Sequence, residues 1–395
     1  LWTAVAASDP DRVVLFKGAS QYGSVNAMVG ELAQAFARRG LRPVVVDMTE
    51  DALKRDLEPL LEDGAVALFC CVNGIGLPSD GAGFYALSDA PVFAYFVDHP
   101  VYHLDRLRAA VPRLTVSFPT ADNVACCRRM IGPVPPACHV AHGAAAVAET
   151  PWEDRDIPVL FAGTCHGGPP EDQRRAWRGR GDGEARVLGA IVEAHDVEPE
   201  TPLELVIAEV TGLDEGDGAA LAPVFIAADT YLRDRAKARV VAALAGTGAV
   251  VCGEHWGFLA GSVPGVRFEG ARPTTEVKPL MRKAKITFNA LPPYYASHER
   301  VFQAMAAGSV AASPPSPLWR ETFPAGEMIE LPYGEAGVGE VLRAALADDG
   351  GLRRMAEAGR RAFAAAHTWD HRAGAILDAI AGGGKVLPAG REARA

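Results

Sequence analysis

Between residues 285 and 323 the chain reads KITFNALPPYYASHERVFQAMAAGSVAASPPSPLWRETF, and its apolar period changes in a fixed order. An apolar run at 286–289 meets a polar, proline-broken loop at 291–298. Val301, Phe302, Met305 and Ala306 then recur at helical spacing, Gly308 stops the helix, and 309–313 is a second apolar run. A helix between two buried strands reads as a crossover between parallel strands, since antiparallel neighbours need only a hairpin. The predicted helix opens at Ser297, His298, Glu299 and Arg300. Its first turn leaves N–H groups unbonded at the positive end of the dipole, which suits a phosphate, and Ser297 reads as its cap. A cation at that end opposes the dipole, so Arg300 calls for an anionic partner. The combination points to nucleoside diphosphate chemistry.

The same alternation fills the rest of the chain. In the first half, 12–17, 43–47, 65–72 and 91–97 read as short buried strands, with 114–117 and 139–141 weaker. Helices are predicted at 25–39 and 53–61. A proline- and acid-rich stretch at 149–156 reads as a linker. The second half restarts with a strand at 157–162, followed by a polar excursion at 169–184 and a helix at 186–194. Beyond it come a helix at 231–244, strands at 249–252 and 266–269, and a helix at 275–284. After the 285–323 unit, helices are predicted at 351–366 and 369–380, with a flexible tail from Gly382. Near-continuous apolar strands separated by helices specify parallel sheets covered on both faces. The chain therefore reads as α/β, with two doubly wound Rossmann-like domains, 1–150 and 155–350, facing a cleft. Ligands of such sheets sit beyond the carboxyl ends of the strands.

Composition narrows the partners. A net charge of −10 and no basic run give no footprint for nucleic acid or an anionic membrane. No apolar run is long enough to span a bilayer, so no integral membrane segment is expected. Seven cysteines, four of them in the adjacent pairs Cys70-Cys71 and Cys126-Cys127, read as buried thiols of a reducing cytoplasm. The chain starts at Leu1, so a trimmed segment could have carried a signal or a further domain.

In order, VLFAGT (159–164), VVCGEHW (250–256), VRFEGARP (266–273), EVKPLMRKAKITFNA (276–290), SHERVFQAMAAGSV (297–310) and HTWDHRAGAIL (367–377) resemble the GT-B glycosyltransferases. The nearest likeness is to the CgeB-like spore-maturation group and its family-4 relatives. It covers roughly 130–380. The resemblance implies a nucleotide-sugar domain at 155–350 and C-terminal helices at 351–381 packing back toward the first domain. Many family-4 enzymes place two glutamates eight positions apart where this chain has Tyr295 and Gln303. Gln303 retains the capacity to hydrogen-bond a ribose hydroxyl, whereas Tyr295 cannot act as a carboxylate. Ser297 and Arg300 fit the CgeB-like pattern better, which assigns the donor diphosphate to them.

The donor side is thus read as Gly163, Thr164, Glu254, His255, Asn289, Ser297, His298, Arg300 and Gln303. Gly163 and Thr164 would present backbone N–H groups to the anion, while Glu254 and His255 would meet the base or sugar. In the first domain, the loop from Gly18 to Gly23 would face the donor. Asp98 and His99, at the end of the strand 91–97, would supply the base that takes the acceptor's proton, and only one of them would face the cleft. Cys252 with His255, and Cys138 with His142, have ligand-like spacing but no second pair to complete a zinc site. No metal and no cofactor are expected, and no DXD-type pair occupies a suitable loop. The predicted activity is transfer of a sugar from a nucleoside diphosphate sugar to a hydroxyl acceptor. A nucleotide-sugar epimerase and a non-catalytic binding module remain the alternatives.

Overall fold

The computed structural model describes residues 10–49, 56–62, 64–133, 135–333 and 337–382. Most of the tail read from Gly382, and the first part of the helix read at 53–61, lie outside these residues. The chain forms two compact units, Leu1–Ala141 with Trp369–Ala395, and His142–Thr368. The stretch read as a linker, 149–156, belongs to the second unit, where Trp152 and Arg155 are buried.

The first unit runs β1 (Arg12–Lys17), α1 (Ser24–Arg38), β2 (Arg42–Asp47), α2 (Glu58–Glu62), β3 (Val66–Val72), β4 (Val92–Tyr95), α3 (Leu104–Arg108), β5 (Leu114–Phe118), α4 (Ala121–Ile131) and β6 (Ala137–His139). All pairings are parallel, in the order β2-β1-β3-β4-β5-β6. Val13 to Phe16 are wholly buried, as strands covered on both faces require. The sheet order reverses between β1 and β3. Helix α1 buries Met28, Val29, Leu32 and Phe36, and its far side carries Glu31, Arg38 and Arg39. That polar side receives the last helix, α14 (Trp369–Ala381): Trp369 Nε1 donates to Glu31 Oε2 at 2.8 Å, and Arg39 donates to the Asp370 carbonyl.

The second unit runs β7 (Ile157–Ala162), α5 (Pro170–Arg180), α6 (Asp182–Val197), α7 (Leu203–Thr211), α8 (Gly218–Ala243), β8 (Val250–Cys252), β9 (Arg267–Phe268), α9 (Thr274–Lys283), β10 (Ala284–Phe288), α10 (Glu299–Ala306), β11 (Val310–Ser313), α11 (Pro317–Thr322), β12 (Ile329–Glu330), α12 (Val338–Ala347) and α13 (Asp349–Ala366). Its parallel sheet has the order β12-β11-β10-β7-β8-β9, reversing between β7 and β10. Of the two helices predicted to pack toward the first unit, only α14 belongs to it.

One stretch differs from the sequence reading in kind. The polar excursion at 169–184 is helix α5 and the start of α6. Its one large apolar residue, Trp177, is buried 4.7 Å from the Tyr231 ring of α8. A single anchor and tertiary packing thus make a helix that local hydrophobic pattern does not announce. Four helices therefore lie between β7 and β8, where one would close the crossover.

Candidate active site

The carboxyl ends of β7 and β10, where the second sheet reverses its order, carry two loops. The first, 163–168, leaves β7 beside the end of β8. Gly163 N–H donates to the Cys252 carbonyl at 2.8 Å, and Trp256 Nε1 donates to the Gly163 carbonyl at 2.9 Å. Gly253 makes this approach possible. It has a φ of 140°, and a side chain there would drive into the Gly163 carbonyl. The Thr164 hydroxyl accepts from Glu254 N–H at 3.2 Å, and His255 Nδ1 lies 2.9 Å from the Cys165 carbonyl.

Helix α8 lies against both loops with a charged face. Asp229, Arg233 and Lys237 follow one another at four-residue spacing, with Asp234 beside them. The two acids are almost wholly buried and fully engaged. Asp229 accepts from the Tyr294 hydroxyl at 2.6 Å and the Tyr295 hydroxyl at 3.0 Å. Asp234 accepts from the N–H groups of His166 (3.0 Å) and Gly167 (2.6 Å), from Gln173 Nε2 (3.2 Å) and from Lys237 Nζ (3.1 Å). Lys237 Nζ also donates to the Thr164 carbonyl at 2.7 Å. Arg233 lies over the Tyr295 ring, 5.4 Å from its centroid.

The second loop leads from β10 into α10. His298 caps the helix, its Nδ1 accepting from Arg300 N–H at 3.0 Å. Ser297, read from the sequence as the cap, is buried, and its hydroxyl lies 2.8 Å from His142 Nδ1. The preceding residue, Ala296, holds a φ of 52°, and its carbonyl accepts from the Ser316 hydroxyl at 2.8 Å. Asn289, 4% exposed at the end of β10, accepts from Arg300 Nη1 at 3.3 Å and donates to the Ser313 hydroxyl. The Arg300 guanidinium also lies over the Phe161 ring at 6.0 Å. Asn289 therefore orients Arg300. Gln303 lies half-buried one turn along α10.

Cations and buried acids alternate at this edge: Arg233 lies 3.6 Å from Asp229 and Lys237 3.1 Å from Asp234. Burial, reinforced by Arg233, pushes the Lys237 ammonium down to about 8, against the opposing effect of Asp234. Burial holds Arg300 below the usual arginine range; Glu299 opposes the shift and Arg233 adds to it. His298 is depressed well below an ordinary histidine by burial and then by Arg300, His142, Arg233 and Lys237. Burial, Lys237 and Arg233 lower His166 in turn. Burial is the main cause in each case, and the added repulsion from Arg233 is one that an arriving anion relieves.

Two sequence expectations for this edge are overturned. Of the two N–H groups expected to meet the anion, that of Gly163 goes instead to the Cys252 carbonyl, and further along the loop Asp234 takes those of His166 and Gly167. Nor is Ser297 the helix cap, because its hydroxyl is directed to His142. The imidazoles with ligand-like spacing are likewise committed, His255 to Cys165 and His142 to Ser297. Sequence reading missed Arg233, Asp234 and Lys237. The signal was present in RDRAK (233–237), charges set among the buried residues Tyr231, Leu232, Ala236 and Val240 of α8.

In the first unit, Asp98 and His99 have different surroundings. His99 is 6% exposed, and its Nδ1 accepts from Val101 N–H at 3.3 Å, which fixes the turn. The Asp98 side chain is 49% exposed and accepts from Asn73 Nδ2 at 2.7 Å. His103 Nε2 lies 4.0 Å from Asp98, and burial lowers that imidazole to about 4, so it is neutral. At the end of β1, Gly18 exchanges two hydrogen bonds with the Asn26 side chain, and Gly23 precedes α1 with a φ of 70°.

Residues 233–378 match the family described as glycosyl transferase-like. No curated protein matches the chain. Among solved structures, the chain is similar to an alpha-glucosyltransferase in complex with UDP-glucose and DNA containing an abasic site. That likeness has 11% identity and a TM-score of 0.54, over 94% of this chain and 99% of that one. It is also similar to Anabaena HepE in complex with UDP-glucose, at 10% identity and a TM-score of 0.52, over 94% of this chain and 99% of that one. The likeness extends over both doubly wound parallel sheets of this chain. Residues 233–378, which contain Arg233, Lys237 and Arg300, are thus glycosyl transferase-like, and the chain as a whole has the GT-B fold.

Proposed function

We propose that the second unit binds a nucleoside diphosphate sugar, with its diphosphate among Arg233, Lys237 and Arg300, and that the sugar passes to a hydroxyl acceptor. The observation that carries the reading is the gathering of buried cations at the carboxyl ends of β7 and β10, where Lys237 and Arg300, lowered chiefly by burial, are both lowered further by Arg233. Fixed cations act on the leaving group directly. The departing nucleoside diphosphate gains one negative charge relative to the bound donor, and preorganised donors stabilise that charge as it develops. The same cations serve where a divalent metal otherwise would, which supports transfer without a bound metal. Asp229 and Asp234, the acids nearest them on α8, are committed to internal donors. The UDP-glucose complexes of the two similar structures make UDP-glucose the first donor to test.

Asp98 is the group we assign to the acceptor's proton, which makes the reaction inverting. It is half-exposed, lies three residues beyond β4 and is oriented by Asn73, whereas His99 is spent on its own turn. The net charge of −10 favours a neutral or cationic acceptor. The Ser297 and Arg300 pattern supports placement in the CgeB-like group, and seven buried free thiols support a reducing compartment. No helix among the described residues is long and apolar enough to cross a membrane. A thermal-shift panel of UDP, GDP, CDP and TDP, each free and as its sugar, tests the donor assignment. At least one pair raises the melting temperature; a flat response to the whole panel refutes it.

A further inference from the structure

The buried carboxylate of Asp234 joins the loop after β7 to the cation of α8. Each oxygen takes two donors: Oδ1 from His166 N–H and Lys237 Nζ, Oδ2 from Gly167 N–H and Gln173 Nε2. The side chain is 1% exposed, so it meets no ligand itself. We propose that Asp234 is the positioning residue of the donor site, fixing the Lys237 ammonium and the loop 163–168 in the arrangement that receives the diphosphate.

The proposal rests on the donor reading above and extends it to a residue that touches no substrate. An ammonium has three N–H groups. Two of those on Lys237 go to Asp234 and the Thr164 carbonyl, so these two bonds fix the direction of the third. A backbone nest of N–H groups binds any anion that reaches it. Here a resident carboxylate holds the nest, so an incoming anion is directed to the side-chain cations. The charges that act on Lys237 are Arg233 and Asp234 from its own helix and Cys165 from the loop after β7. Lys237 in turn acts on His166 in that loop and on His298 at the start of α10. Asp234 is the largest of the influences that support the protonated form of Lys237, against burial and Arg233, with Cys165 adding to it.

The test is calorimetric binding of UDP from about pH 6.5 to about pH 9, with inorganic pyrophosphate as the base-free probe. Wild-type affinity falls as pH rises through about 8, where Lys237 loses its proton. Asp234→Asn removes the charge and the acceptor facing Gly167. Its affinity near neutral pH falls by about tenfold or more, and its inflection moves down by about one pH unit. A purely structural role lowers the melting temperature and leaves the inflection in place; that result overturns the proposal. If Asp234→Asn does not fold, Asp234→Glu decides. That variant keeps the charge one methylene further out, so the inflection stays near 8 while affinity falls several-fold. Wild-type affinity in Asp234→Glu refutes the positional role. Failure of wild-type protein to bind either probe is a different outcome, because it removes the donor site itself.

Discussion

Arg300 separates binding from stability, and Arg300→Met measures both. Methionine keeps an unbranched apolar stem against Phe161 and deletes the charge. In the ligand-free protein, the substitution gives up a long hydrogen bond to Asn289 and the contact over the Phe161 ring. A buried amide oxygen left without a donor costs about 1–2 kcal/mol, and a partly exposed cation–π contact contributes about 0.5 kcal/mol. Against these stands the release of a desolvated guanidinium that Arg233 repels. The opposing effects leave ligand-free stability within about 1 kcal/mol of wild type, a shift of no more than about 3 °C in melting temperature. Donor binding changes far more. Two charge-assisted hydrogen bonds to a diphosphate contribute about 3 kcal/mol or more together, so UDP affinity falls by about 100-fold or more. Differential scanning calorimetry with and without UDP reads both quantities in one experiment. A variant destabilised by more than about 2 kcal/mol that still binds UDP normally identifies Arg300 as a structural residue, and the donor assignment fails.

Lys237 titrates at about 8 in the folded protein and near 10.5 when unfolded, so the unfolded chain holds more protons between these values. Lys237 by itself makes stability rise with pH across that window, opposing the buried thiols, whose raised folded values make it fall. In denaturant titrations the stability difference, wild type minus Lys237→Met, therefore rises from about pH 8 to about pH 10.5, and the variant binds UDP more weakly. Asp98→Asn leaves UDP affinity within about twofold and lowers turnover by about 100-fold or more, the range of a lost general base. Loss of UDP binding in that variant contradicts the division of labour between the units. Gly253→Ala combines a positive φ with a clash against the Gly163 carbonyl. It costs about 3 kcal/mol or more in urea unfolding, and a cost below about 1 kcal/mol shows that the loop after β7 has room to move.

The sheets were legible because fully buried parallel strands write themselves as unbroken apolar runs, as at Val13 to Phe16 and Val159 to Phe161. The unit 285–313 was legible for the same reason, with Gly308 as its punctuation. Helix α5 was not, because its burial depends on Trp177 meeting a residue more than fifty positions away. The site was half legible. Arg300 stands out because a cation in a first helical turn contradicts the dipole. Arg233 and Lys237 do not, since charges at four-residue spacing normally mark a solvated face. Asp234 is invisible at that level, because its role depends on backbone N–H groups brought to it by the end of another strand.

The helices between β7 and β8 have a consequence for any attempt to shorten this protein. One side of α8 carries Arg233 and Lys237, the cations we assign to the donor, while the other is gripped from outside: Trp177 and Arg174 lie against the Tyr231 ring, and Arg235 pairs with Asp196 of α6. The segment 170–211 is thus a brace. Trimming it as if it were decoration would unseat the helix to which we assign the leaving group's stabilisation, with none of the assigned residues altered.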